Sequence, residues 1–216
     1  MQSEFRIPIT FDHEAMSGEA EWLEMRFHAI VDGTLAPRDI PALLRNLVGQ
    51  QRPRLASWIP EGSWCVVPDP AESDLPSDAR FHYMDGPTLH AAGIMARAVA
   101  YHPKEAAQVP EMPAALHKAL RFLAARNFHG HGYDREGTEM AWVHILHEGC
   151  IIDYVAGHPG ECAEFLAVLR RKRDEFQHRI DTGNTAGGWD EDYHDDLVRA
   201  VAYLAPLDQA SNDDGR

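Results

Sequence analysis

Between Thr138 and about Val155 the chain carries hydrophobic side chains on nearly every face of a helix. On a helical wheel Met140, Val143, His147, Ile151 and Tyr154 share one face, with His144 at its margin. Ala141, Ile145 and Ile152 cover a second face, and Trp142 and Leu146 a third. A helix that is apolar all round has to be buried. The rest of the chain is therefore expected to pack around this segment. Thr138 is read as its cap, and Glu139 puts negative charge in the first turn, where the helix dipole favours it.

The N-terminal third reads differently. Phe5, Ile7, Ile9 and Phe11 alternate with polar residues over 4–12, the spacing of a half-buried strand, and Pro8 places it at a sheet edge. Residues 22–31 alternate again through Leu23, Met25, Phe27 and Ala29. Trp64 to Val67 and Arg80 to Met84 read as two further short strands. A helix is expected from Ala36–Asp39 to about Val48, carried by Ile40, Leu43, Leu44 and Leu47. The acidic, Pro-containing stretch 69–79 is the expected boundary. Beyond Pro87 the spacing turns helical, with helices expected near 87–101, 112–128, 138–156, 159–180 and 190–204. Pro113 and Pro159 mark first turns, and the acids Asp190 to Asp192 mark another. The fold class that follows is α+β. A small N-terminal antiparallel sheet with one helix (1–78) packs on a C-terminal bundle of about five helices (79–216) with a polar tail.

Charge narrows the function. Thirty-four acidic residues against 20 basic ones give a net charge of −14. That disfavours electrostatic binding to nucleic acid or to an anionic membrane, and suits a partner with a basic surface. With 44% hydrophobic residues the chain can bury a sizeable core. Cys65, Cys150 and Cys162 are odd in number and without framework spacing, which points to a reducing, cytoplasmic setting. The N-terminus lacks a basic region followed by a long apolar run, so no signal peptide is expected.

Histidines supply the sharper candidates. His144 and His147 lie three residues apart and so share a helix surface, with Glu148 one turn from His144. Upstream, the Gly-rich stretch holding His129, His131, Tyr133 and Asp134 precedes the same helix. Asp190 and His194 place a carboxylate and an imidazole one turn apart on another helix. His144, His147, Asp190 and His194 together form a carboxylate–histidine set, for which a divalent metal is the fitting cofactor. His129, Tyr133, Asp134 and Glu148 are the accompanying binding candidates. The plainer alternative treats His144 and His147 as core histidines bonded to neighbouring groups, the Gly-rich stretch as a turn, and the acids from Asp190 on as capping. No H-E-x-x-H or paired C-x-x-C is present. Arg170 to Arg173 form a dense basic run that complements a helix C-terminus or holds a phosphate.

Two strings, Arg126-Asn127-Phe128-His129-Gly130-His131 and Arg173-Asp174-Glu175-Phe176-Gln177-His178, resemble the Arg-x-x-x-x-His motif of HEPN-type ribonuclease domains. The resemblance implies a helical bundle in which Arg126 and His131, or Arg173 and His178, act on RNA without metal. The string His144-Ile145-Leu146-His147-Glu148-Gly149 resembles the His-Asp step of HD-type phosphohydrolases, with Glu148 where that family has Asp. The leading expectation is an acidic, cytoplasmic interaction protein of inhibitor, immunity or accessory type that binds a basic partner. The alternative is an enzyme with a histidine-rich centre, either a metal-dependent hydrolase or oxidase or a HEPN-like ribonuclease.

Overall fold

The computed structural model describes residues 25–51, 61–64, 77–126, 135–184 and 193–207, with the backbone alone for 77–84 and 135–138. Every regular element among them is helical. In chain order these are α1 (25–31), a 3-10 turn at Pro37–Asp39, α2 (Ile40–Gln50), α3 (Ser77–Tyr101) and α4 (Pro103–Ala106). There follow α5 (Met112–Arg126), α6 (Arg135–Glu148), α7 (Ile151–Gly157), α8 (Ala163–Asp181) and α9 (Tyr193–Leu204).

The expected antiparallel sheet is therefore overturned: the described residues form a helical bundle without a strand. Residues 25–31 are helical. Phe27 and Ile30 are buried while Met25 lies 55% exposed, a three-residue spacing rather than an alternation. Over ten residues the two periods place many of the same apolar positions, so alternation alone misreads such a run. Arg80 to Met84 lie inside α3. Trp64 is fully buried without a strand partner. The Thr88 hydroxyl accepts from its amide at 3.0 Å, and its indole donates to the Leu47 carbonyl at 3.0 Å. The Thr88 hydroxyl thus takes the place of a ladder acceptor for the amide, and a helix carbonyl satisfies the indole. The strand expected over 4–12, and residues 65–67, lie outside the described residues.

From Asp85 to Ala98 it is α3, not the 138–156 segment, that is buried almost all round. Leu89, Ala91, Ala92, Ile94, Met95, Ala96 and Ala98 are all essentially inaccessible. Small residues here let neighbours approach closely, and α3 packs against α5, α6 and α7. The 138–156 segment instead divides into α6 and α7 at Gly149–Cys150, where Cys150 adopts a left-handed backbone (φ 58°). Trp142, Val143 and Leu146 turn inward, whereas Ala141, His144 and His147 are exposed. Gly93 of α3 and Gly149 meet at this break. A Cβ built on Gly149 would lie 2.8 Å from the Gly93 Cα, and one on Gly93 would lie 2.7 Å from Cε2 of Phe27.

α8 lies along α9, and α9 also meets α6. Ile40, Leu43, Leu44 and Leu47 of α2 join the same hydrophobic core. Among the described residues no helix is long and apolar enough to cross a membrane.

Candidate functional site

The α6 and α9 surfaces enclose a cleft of about 270 Å³. α9 buries Leu197, Ala200 and Leu204, the three- and four-residue spacing that seats a helix on a core. That seating turns Asp196, Arg199 and Tyr203 toward the cleft, opposite Met140, Ala141, Val143 and His144 of α6. The floor is apolar (Met140, Val143, Ala200) and the rim is ionic. The Arg199 guanidinium donates to the Asp196 carboxylate at 2.6 Å, and the His144 Nε2 lies 2.6 Å from Glu148 Oε1. Beside the cleft, the rings of His147 and Tyr203 stack with centroids 3.8 Å apart and planes within 2°. The rim pairs are well exposed, so each contributes little to stability.

His144 and His147 thus take different partners: Glu148 on the same helix for one, Tyr203 of α9 for the other. His194 is exposed in the first turn of α9. Among the described residues no three histidine, cysteine or carboxylate side chains are placed to hold a metal ion. Asp190, His129, His131, Tyr133 and Asp134 lie outside the described residues. Of the Arg/His strings, Arg126 forms an ion pair with buried Asp85, its Nε 2.9 and 3.1 Å from the two carboxylate oxygens. Burial pushes the Asp85 carboxyl up to about 6, against the opposing pull of Arg126. Arg173 bonds Asp174 at 2.7 Å, and His178 is exposed near the end of α8. The Arg170–Arg173 run is drawn into the fold: Arg170 donates to the Leu207 carbonyl at 2.9 Å, and Lys172 is buried.

No protein family, curated protein or solved structure matches this chain.

Two further clusters are long-range assemblies that spacing within one helix could not reveal. In the first, the Lys172 ammonium of α8 donates to buried Glu139 of α6 at 2.7 Å and lies 3.1 Å from Glu175. Arg179 lies 2.9 Å from Glu175 and donates to the Tyr193 hydroxyl of α9 at 2.6 Å. Burial alone would raise the Glu175 carboxyl, but Lys172 and then Arg179 hold it below its usual range. In the second, the Tyr154 hydroxyl of α7 meets the His117 Nε2 of α5 at 2.9 Å. The His158 ring stacks on Tyr154 at 4.2 Å and bonds through Nδ1 to the Tyr154 carbonyl at 2.8 Å. A carbonyl only accepts, so His158 carries its proton on Nδ1. Burial pushes Tyr154 up to about 12 and lowers His117. A cavity of about 190 Å³ lies nearby, with Leu120 and Phe165 buried in its lining and Glu161 and Glu164 exposed. Its Cys162 thiol is pushed up to about 11 by burial and by Glu161, which leaves it a poor nucleophile at neutral pH.

Proposed function

We propose that this protein is a non-enzymatic interaction protein that binds a basic protein partner. The observation that carries the reading is the α6/α9 cleft, where Asp196, paired with Arg199, stands over an apolar floor with Glu148 at the rim, on a chain of net charge −14. The 190 Å³ cavity beside α8 repeats the arrangement, with exposed Glu161, Glu164 and Arg121 around buried Leu120 and Phe165. Such a surface buries the stem of a long basic side chain while pairing its charge. Charge beyond the clefts acts at longer range. The described residues hold 18 of the 34 acidic side chains and 16 of the 20 basic ones, so most of the excess belongs to the remaining stretches of sequence. An excess of that sign raises the association rate with a basic partner and makes it salt-dependent.

Panning the full chain against random displayed 12-residue peptides tests the reading. Peptides enriched in arginine and lysine are expected, with the enrichment weakened by Asp196→Lys and by raised salt. Selected peptides without a basic excess, or an enrichment indifferent to Asp196→Lys, would remove the basis for it.

A further inference from the structure

We infer that the α6/α9 cleft is an arginine pocket, seating the guanidinium of one arginine from the partner protein on Tyr203. This rests on the partner-binding reading and specifies what that partner presents. At about 270 Å³ the cleft lies below the usual range of small-molecule pockets and suits one long side chain. Its lining supplies the three contacts that an arginine uses. Met140, Val143 and Ala200 accept the methylene stem. Tyr203 offers a flat aromatic wall, one face of which is held against His147. A planar, weakly hydrated guanidinium stacks on such a ring at lower desolvation cost than an ammonium. The chain makes the same contact internally, with the Arg97 guanidinium 3.6 Å from the centre of the Tyr101 ring. Asp196 supplies the counter-charge. A carboxylate has about four lone-pair sites, and the Arg199 contact at 2.6 Å uses one of them.

Charge decides between a cation and an anion here. Two carboxylates, Asp196 in the lining and Glu148 at its rim, stand against the single guanidinium of Arg199. Arg199 is then a competitor for Asp196. Replacing it should free that carboxylate and also relieve its repulsion of an incoming cation, and both effects strengthen binding.

The test is a titration of the isotope-labelled full chain, followed by amide chemical shifts, with the capped peptide Ala-Ala-Arg-Ala-Ala. Counterparts carry lysine, citrulline or glutamate at the centre, and free arginine is run alongside. The arginine peptide is expected to shift the amides of Ala200 and Tyr203 and to bind about tenfold more tightly than the citrulline peptide. It should also bind more tightly than the lysine peptide. Asp196→Asn should weaken it about tenfold, whereas Arg199→Gln should tighten it. Both side chains are substantially exposed, so neither substitution threatens the core. Lysine binding as tightly as arginine would overturn the arginine assignment and leave a basic partner standing, whereas uncharged citrulline binding as tightly would overturn both. Free arginine binding as tightly as the peptide would overturn the protein source. Glutamate binding that disappears in Arg199→Gln would overturn both this inference and the reading beneath it. Shifts that avoid the α6/α9 residues with every peptide would overturn the pocket.

Discussion

Asp85 shows how one buried carboxyl sets a response to pH. In the fold it titrates at about 6, against 3.8 for the free side chain, because burial penalises its charged form more than Arg126 relieves it. Between those values the folded protein holds a proton that the unfolded chain has lost. Folding stability therefore falls as pH rises from about 4 to 6, by about 3 kcal/mol from this group alone. Asp85→Asn keeps an acceptor for Arg126 and removes the titration. Urea unfolding at pH 4, 5, 6 and 7 should show the variant gaining stability relative to the native chain across this window. A constant difference between the two would mean that Asp85 does not titrate there. Other residue-level features were open to sequence reading in part. The His144–Glu148 pair follows from their four-residue spacing. The Asp85–Arg126 pair, 41 positions apart, depends on how α3 meets α5, and no local pattern encodes it.

At the level of elements, Gly93 in α3 closely approaches Gly149 between α6 and α7, with Phe27 of α1 laid over both. Gly93→Ala pushes a methyl against the Phe27 ring, which is 1% exposed and has little room to swing. Gly149→Ala meets the Gly93 Cα at 2.8 Å and the Ile145 carbonyl oxygen at 2.9 Å, both of them backbone. Each substitution is expected to cost about 1–3 kcal/mol or more, with Gly149→Ala the worse. Adding Phe27→Leu should recover part of the loss for Gly93→Ala and little for Gly149→Ala. Thermal melts of the four variants check this, and equal rescue in both backgrounds would contradict the geometry. The same crossing explains why the central segment is misread from sequence. Its apolar residues do spread around a wheel, but the chain turns at Gly149–Cys150 and resets the phase, so α6 and α7 each bury their own side. α5, α8 and α9 fall within a few residues of their expected spans, because a three-to-four spacing is a local signal, although α8 starts at Ala163, after Pro159, rather than with it. The N-terminal runs are too short for period to separate strand from helix, and there the packing of Phe27, Ile30 and Trp64 decides. His144 of the cleft could be found by spacing; Arg199 and Tyr203 could not, because their place depends on how α6 meets α9.

Across the whole molecule, the buried ionic cluster holds the α6, α8 and α9 arrangement that shapes the cleft. Lys172 and Glu139 are 2% and 1% exposed, and truncating one leaves the other's charge in a low-dielectric interior. Lys172→Met alone should cost about 3–5 kcal/mol. Pairing it with Glu139→Gln should recover part of that, giving a coupling of about 1–3 kcal/mol in a double-mutant cycle followed by urea denaturation. Strictly additive losses would mean that the contact at 2.7 Å is energetically idle. The break at Gly149–Cys150 has a wider consequence. An uninterrupted helix from 135 to 157 would be a rod, and a push on Met140 or His144 would travel along it to Tyr154 and the His117 bond. The elbow divides that rod into two short arms, each footed on different neighbours. The cleft and the tyrosine–histidine cluster can then be altered one at a time, as separate workpieces on a common frame.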